Sequence, residues 1–312
     1  MTYTVNVSGL RKAYGEQVVL DGIDLSVERG SVFALLGPNG AGKTTAVNIL
    51  STLVRPDGGT ATIDGHDLLA DPEGVRRSIS LTGQYAAIDD ILTVEENLLM
   101  MARLLRLDAK TARTRTSELL AEFDLARVRD RRVKALSGGM RRRVDIAASV
   151  ITRPPLLFLD EPTTGLDPRS REQTWETVRH LVAEGVTIML TTQYLEEADQ
   201  LADRIAMLNG GRIVADGTPD ELKASLEGEV ARLEFADADA FERAVHGLDV
   251  SDTDPARRTV DVATDGSADQ VRELLSRLDS ASIPVERVSL HRPSLDDVFL
   301  SLTAHPTQEA SR

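Results

Sequence analysis

The stretch that most limits what this chain can fold into is Val32–Leu36 (VFALL), followed at once by Gly37-Pro-Asn-Gly-Ala-Gly-Lys-Thr44. A short, continuous apolar run marks a strand buried on both faces, as in a parallel sheet covered by helices. The segment after it satisfies G-x-x-x-x-G-K-[ST] in full. Glycines let the backbone wrap closely around a polyphosphate with its amide N–H groups turned inward. A helix starting near Lys43 presents its positive end to the same anion. Lys43 is then placed to reach β- and γ-phosphates, and the Thr44 hydroxyl to ligate Mg²⁺. Gly37, Pro38, Asn39, Gly40, Ala41, Gly42, Lys43, Thr44 and Thr45 are the candidate nucleotide-binding residues of this loop.

Similar apolar runs recur at 156–159 (LLFL), 186–190 (VTIML) and 205–208 (IAML), with helical stretches between them. Residues 2–7 and 18–27 instead alternate polar and apolar, as half-buried antiparallel strands do. The fold class is therefore α/β: a mainly parallel sheet with an antiparallel β subdomain. Between about residues 90 and 150 the pattern is helical and no strand run interrupts it, so this region reads as a helical insert. Thr93, with Glu96 three residues on, predicts a capped helix start there.

A pair of carboxylates closes one apolar strand, Leu156-Leu-Phe-Leu-Asp160-Glu161-Pro162. At the carboxyl end of a parallel strand, Asp160 lies beside the phosphate loop and can hold Mg²⁺. Strand alternation sends Glu161 to the other side, where a base for an attacking water is needed.

At 312 residues the chain is long enough for two domains of ~100–200 residues each. The first is expected over 1–220. The turn at Asp216-Gly-Thr-Pro219 precedes a linker over 221–228. A small α+β domain over 229–304 follows, with strand-like segments at 230–235, 259–263 and 285–290 alternating with helix-like ones at 239–246, 268–278 and 295–302; residues 305–312 read as a frayed tail. The net charge is −14, with 10 basic and 19 acidic residues in 221–312, which argues against a nucleic-acid partner. The absence of cysteine excludes disulfides and thiolate chemistry. No window approaches ~18–20 uninterrupted apolar residues, and the N-terminus lacks a secretory pattern. The chain is expected to be cytosolic and to reach a membrane only through a partner.

Leu136-Ser-Gly-Gly-Met140, ahead of the helical run 141–151, resembles the signature sequence of the ATP-binding cassette (ABC) ATPases. With the phosphate loop and the Asp160-Glu161 pair, it makes three motifs in that family's order. Ser137, Gly138 and Gly139 at a helix N-terminus form a second anion cradle. The resemblance implies ATP as substrate, Mg²⁺, and a head-to-tail dimer, either a homodimer or a pairing with a second cassette protein. Each ATP then lies between one chain's phosphate loop and the other chain's signature. It further implies that Tyr14 stacks on adenine, that Gln84 contacts Mg²⁺ and links the site to the helical insert, and that Asp167 communicates across the dimer. Where the family usually places a switch histidine, this chain has Gln193. An amide can hydrogen-bond a γ-phosphate but cannot carry a proton's charge at neutral pH. Hydrolysis, with Glu161 as base, is therefore expected to be slow.

Thr82-Gly-Gln-Tyr-Ala-Ala-Ile-Asp, Thr191-Thr-Gln-Tyr-Leu-Glu-Glu-Ala-Asp and Pro293-Ser-Leu-Asp-Asp-Val-Phe-Leu resemble, more narrowly, the ATP-binding subunits of daunorubicin/doxorubicin-resistance exporters, the DrrA-type family. This implies a separate DrrB-like membrane permease, a place on the inner face of the cell membrane, and efflux of hydrophobic drugs or lipid-like compounds. An importer motor, or a non-transport ABC ATPase, remains the alternative at this stage.

Overall fold

Alternation near the N-terminus folds into an antiparallel hairpin, β1 (Tyr3–Tyr14) with β2 (Gln17–Glu28). Val5, Val7, Leu20, Leu25 and Val27 turn inward, while Asn6, Ser8 and Asp24 are exposed. The computed structural model describes residues 2–83, 88–226, 229–291 and 293–303. Next come β3 (Val32–Leu36), buried throughout, and α1 (Lys43–Leu50). Then β4 (Gly58–Ile63) and β5 (His66–Asp67) complete a four-stranded sheet in the order β2-β1-β4-β5. Helix α2 (Pro72–Ser78) starts where the Asp71 carboxylate accepts the Gly74 N–H at 2.9 Å, and it leads into β6 (Ile79–Thr82).

The middle of this unit is helical: α3 (Val94–Leu104), α4 (Ala109–Glu122) and α5 (Gly138–Ser149), with two short 3-10 turns between the last two. The Thr93 amide donates to Glu96 Oε2 at 2.8 Å and the Glu96 amide to Thr93 Oγ1 at 3.2 Å, a reciprocal cap that fixes where α3 begins. An isolated bridge between Thr93 and Arg132 is the extended pairing found here among the described residues.

The chain then alternates strand and helix: β7 (Leu156–Asp160), α6 (Pro168–Ala183), β8 (Thr187–Thr192), α7 (Leu195–Leu201), β9 (Arg204–Asn209) and β10 (Arg212–Gly217). The central sheet runs β10-β9-β3-β8-β7-β6, parallel except that β10 is antiparallel to β9. Leu25 and Ile63 of the first sheet share one core with Phe33, Leu35, Phe158 and Leu208 of the second. Each such side chain, fully buried, contributes roughly 1.5–3 kcal/mol. Because β8 lies between β3 and β7, the carboxyl ends of these three strands stand side by side. That juxtaposition builds the site.

The chain divides into two compact units, Met1–Pro219 and Asp220–Arg312. The segment expected as a linker opens instead in a helix, α8 (Pro219–Ala224), while residues 227 and 228 lie outside the described residues. Its chemistry is that of a helix start: proline first, Asp220 and Glu221 in the first turn, Lys223 in the last, and Leu222 buried. The second unit continues with β11 (Glu229–Glu234), α9 (Ala238–Gly247), β12 (Val250–Asp254), β13 (Thr259–Thr264), α10 (Ala268–Ser280), β14 (Arg287–His291) and α11 (Leu295–Thr303). Its strands form an antiparallel sheet, β12-β13-β11-β14, over a core of Leu233, Phe235, Phe241, Val260 and Leu278. The Phe235 and Phe241 rings meet edge to face at 6.5 Å. The expected tail, 305–312, falls outside the described residues.

Candidate nucleotide site

The phosphate loop is anchored where two backbones nearly touch. A Cβ at Gly37 would lie 2.2 Å from the Leu208 carbonyl oxygen, and the Gly37 amide donates to Thr192 O at 3.4 Å. Gly42, at φ +110°, caps α1; a Cβ there would sit 2.8 Å from both Val19 O and the Leu20 side chain. Only glycine meets both demands. Among the described residues no side chain caps the first amides of α1, which leaves them available to an anion. Asn39, Gly40 and Thr44 are exposed, Pro38 and Thr45 half-buried, and Ala41 buried with its amide donating to Pro38 O at 3.2 Å. Lys43 is buried and folds across the loop, its Nζ donating to Gly37 O at 2.6 Å and Pro38 O at 3.1 Å. Burial holds its ammonium below the ordinary lysine range, against the opposing pull of Glu161 and Asp160.

Across the strand ends, Thr44 Oγ1 donates to Asp160 Oδ2 at 3.4 Å, and the Thr191 hydroxyl donates to the other oxygen of the same carboxylate. Asp160 itself is buried. A hydroxyl and a carboxylate are hard oxygen donors of the kind Mg²⁺ takes. Among the described residues no cluster of three or more His, Asp or Glu side chains could hold a metal. The donor set therefore suits an ion that keeps water and phosphate oxygens as its other ligands.

Strand β7 ends at Asp160, so the alternation rule stops one residue short of Glu161. Glu161 instead takes a left-handed backbone, φ +49°. Such a conformation in a non-glycine residue costs of order 1–3 kcal/mol and persists only where the surroundings impose it. Here the Glu161 amide is pinned to β8, donating to Thr191 O at 3.0 Å and Thr191 Oγ1 at 3.2 Å. The carboxylate is half-buried and accepts the Thr164 hydroxyl at 3.2 Å. Gln193 is half-buried just past the end of β8, and no hydrogen bond among the described residues engages its side chain. Gln84 lies outside the described residues. Tyr14 ends β1 half-exposed, with Lys12 Nζ 5.4 Å from its ring centroid. Lys12 is in turn held by Asp57 at 2.9 Å.

The second cradle is a separate construction. Ser137 caps α5, its Oγ accepting the Met140 amide at 3.3 Å, and Ser137 and Gly138 are exposed. No hydrogen bond among the described residues joins them to the phosphate loop. Asp167 caps α6: the Ser170 amide donates to Oδ1 at 3.0 Å and the Ser170 hydroxyl to Oδ2 at 2.6 Å, which hold its carboxyl below the usual range. Thr191 and Ser170 were not singled out by sequence reasoning. The paired threonines ending an apolar strand, and a serine three residues after an aspartate, are the signals that could have found them.

A model of the ABC transporter family matches residues 20–164, and one of the DrrA1-3-like ATP-binding protein C-terminal domain matches residues 217–303. Over 317 residues the chain is 50% identical to the daunorubicin/doxorubicin resistance ATP-binding protein DrrA of Streptomyces peucetius, covering 99% of this chain and 95% of that one. The chain belongs to the DrrA-type family of ABC transporter ATP-binding proteins. The DrrA2 daunorubicin resistance protein of Streptomyces coeruleorubidus is 51% identical over 311 residues, covering 98% and 97% of the two chains. Among solved structures, the post-hydrolysis dimer of the ATP-binding cassette MJ0796 bound to ADP and Pi is 28% identical, at TM-score 0.61, covering 69% of this chain and 98% of that one. As a DrrA-type cassette, the chain is an ATPase: it binds and hydrolyses ATP. Cassettes of the ABC family work as dimers together with a separate membrane permease.

Proposed function

We propose that this protein is the ATP-hydrolysing motor of an exporter, acting as a homodimer on a separate DrrB-like permease to drive hydrophobic drugs or lipid-like compounds out of the cell. One observation carries the homodimer. The chain holds one phosphate loop with its carboxylates and one serine–glycine helix start, and no hydrogen bond among the described residues joins the two. A second copy in head-to-tail arrangement supplies each loop with the missing cradle. The exporter assignment is supported by near full-length similarity to drug-resistance proteins. No helix among the described residues is long and apolar enough to cross a membrane, which fits a motor placed at the inner face of the membrane by its permease.

In this reading the amides of Gly40, Gly42 and α1 bind the polyphosphate, Lys43 reaches its terminal groups, and Tyr14 stacks on the adenine. Thr44, Asp160 and Gln84 would hold Mg²⁺, which would supply neutralisation of phosphate charge there. Glu161 takes a proton from water as its oxygen bonds to the γ-phosphorus. The bond to the bridging oxygen breaks, and ADP and phosphate leave. Gln193 orients the γ-phosphate or the water, and Ser137, Gly138 and Gly139 of the second copy close the other side. Asp167 fixes the start of α6 at that interface.

The test is Glu161→Gln, which keeps the cradle and removes the base. With ATP and Mg²⁺ it is expected to run as a dimer on sizing, and a persistent monomer would refute the sandwich. Co-expression with a DrrB-like permease in a drug-sensitive host tests direction. Resistance that depends on Lys43 supports export, and increased drug accumulation contradicts it.

A further inference from the structure

Behind the site lies a buried charge that the chemistry above does not use. Arg142 is on α5, the helix capped by Ser137, and its side chain is only 11% exposed. Nη1 donates to Gly83 O at 3.1 Å and to Asp145 Oδ2 at 3.2 Å, whereas Nε and Nη2 have no partner among the described residues. Nearby on α7, four residues after Gln193, Glu197 is fully buried. Its Oε1 accepts the Trp175 indole N–H at 3.3 Å, while Oε2 has no hydrogen-bond partner among the described residues. Burial pushes Arg142 down and Glu197 up from their ordinary values, and the carboxylates of Asp145, Glu197 and Asp160 draw the arginine back toward its charged form.

Arg141, the preceding residue, pairs with Asp90. Gly83 and Asp90 flank the segment that carries Gln84. Two consecutive arginines thus fasten both flanks of that segment to the first turns of α5. Arg141 is half-buried and Asp90 exposed, so their pair stays in reach of solvent, a kind of bond that holds weakly. Arg142 is different. A guanidinium cannot shed its charge, and Asp145 rides on α5 with it, so moving α5 away from Gly83 would take from a buried cation the hydrogen bond that ties it to another element.

We propose that Arg142 is a positioning residue that locks the helix bearing the serine–glycine turn to the phosphate side of its own chain, through its hydrogen bond to the Gly83 carbonyl. This rests on the two-copy reading above. In that dimer α5 serves the partner's nucleotide, while Gly83, Asp160 and Glu197 belong to the chain's own. Arg142 therefore makes the two half-sites of one subunit move together.

The test uses the full chain carrying Arg142→Met, alone and with Glu197→Gln, in the parent and in Glu161→Gln. Binding of a fluorescent ATP analogue reads the phosphate loop alone; ATP-driven dimerisation of the Glu161→Gln forms and the split of kcat from KM read the coupling. For Arg142→Met we expect kcat to fall about tenfold or more with analogue affinity changed less than about threefold. Its dimerisation midpoint moves to higher ATP. The double variant removes the Glu197 carboxylate together with the cation and leaves only Asp145 short of its arginine, so it recovers part of the thermal stability but neither kcat nor the midpoint; it also keeps the test open if the single variant folds poorly. Recovery of turnover in the double variant would show that Arg142 only balances a buried carboxylate, and an unchanged kcat and midpoint in the single variant would be equally fatal. If Glu161→Gln with Arg142 intact stays monomeric, the two-copy reading falls and takes this inference with it.

Discussion

Gly139 lies against Ser170 so closely that a Cβ on the glycine would stand 2.4 Å from the serine Oγ and 2.6 Å from its Cβ. Ser170 cannot retreat, because both its amide and its hydroxyl donate to Asp167. The second glycine of the serine–glycine turn is therefore demanded by helix packing as well as by anion binding. Gly139→Ala is expected to push α5 off α6, lowering ATP turnover about tenfold or more while the phosphate loop still binds nucleotide. Adding Ser170→Gly opens the space and should restore part of the turnover. Steady-state ATPase rates for the two variants check this, and an active Gly139→Ala protein would refute it.

Lys43 offers a cleaner separation of binding from folding. Its buried ammonium is held by two loop carbonyls and depressed by burial. Lys43→Met removes that cation at little volume change, so the melting temperature should hold or rise. Affinity for ATP should fall about 10- to 100-fold, since charge-assisted hydrogen bonds contribute roughly 1.5–3 kcal/mol. Calorimetric titration alongside thermal melting reads both quantities.

The Asp160 carboxylate is shared between Thr44 and Thr191. Asp160→Asn keeps its shape and removes its charge. We expect the increase in ATP affinity that Mg²⁺ brings to be largely lost, with affinity in the presence of a chelator nearly unchanged. Titrations with and without Mg²⁺ give the comparison, and an Mg²⁺ effect of parental size in the variant would remove Asp160 from the metal site.

The parts of this architecture that sequence made legible are those whose pattern has one physical solution. Val32–Leu36 is apolar without a break and can only be a strand covered on both faces; the glycines after it can only be a tight loop. Thr93 with Glu96 reads as a helix start for the same reason. What escaped was decided by partners far along the chain. β12 (Val250–Asp254) is an exposed edge strand whose Ser251, Asp252 and Thr253 show no apolar alternation, so only its pairing with β13 reveals it. Thr191 meets Asp160 across neighbouring strands, and Arg142 meets Gly83 from 59 residues away. Strand alternation predicts a direction for Glu161, yet its left-handed backbone is set by hydrogen bonds to β8.

Gln193, proposed above to orient the γ-phosphate or the water, is half-buried just past the end of β8. Gln193→His should leave the fold intact, because the side chain makes no hydrogen bond among the described residues that its loss would strand. Turnover should rise or stay level, since an imidazole can carry charge toward a γ-phosphate where an amide cannot. Single-turnover hydrolysis by the two proteins decides it. A large loss would give the amide a specific role.

Glu197 makes stability depend on pH with a definite sign. Burial raises its carboxyl above the ordinary glutamate range, so the folded protein binds this proton more tightly than the unfolded chain. Stability falls with rising pH wherever the folded state holds more protons. The contribution is therefore complete below the unfolded-chain value and is lost as pH climbs through the window up to the raised folded value. Trp175 and Arg142 favour the ionised form and narrow that window without reversing it. Carboxylates held low, such as Asp71 and Asp108, slope the other way, but they are common to parent and variant and cancel in the difference. Glu197→Gln cannot titrate. Denaturant unfolding of both proteins from about pH 5 to about pH 8 should show the parent losing ground to the variant as pH rises. A difference that is flat, or that slopes the other way, would mean that Arg142 holds Glu197 ionised across the whole range.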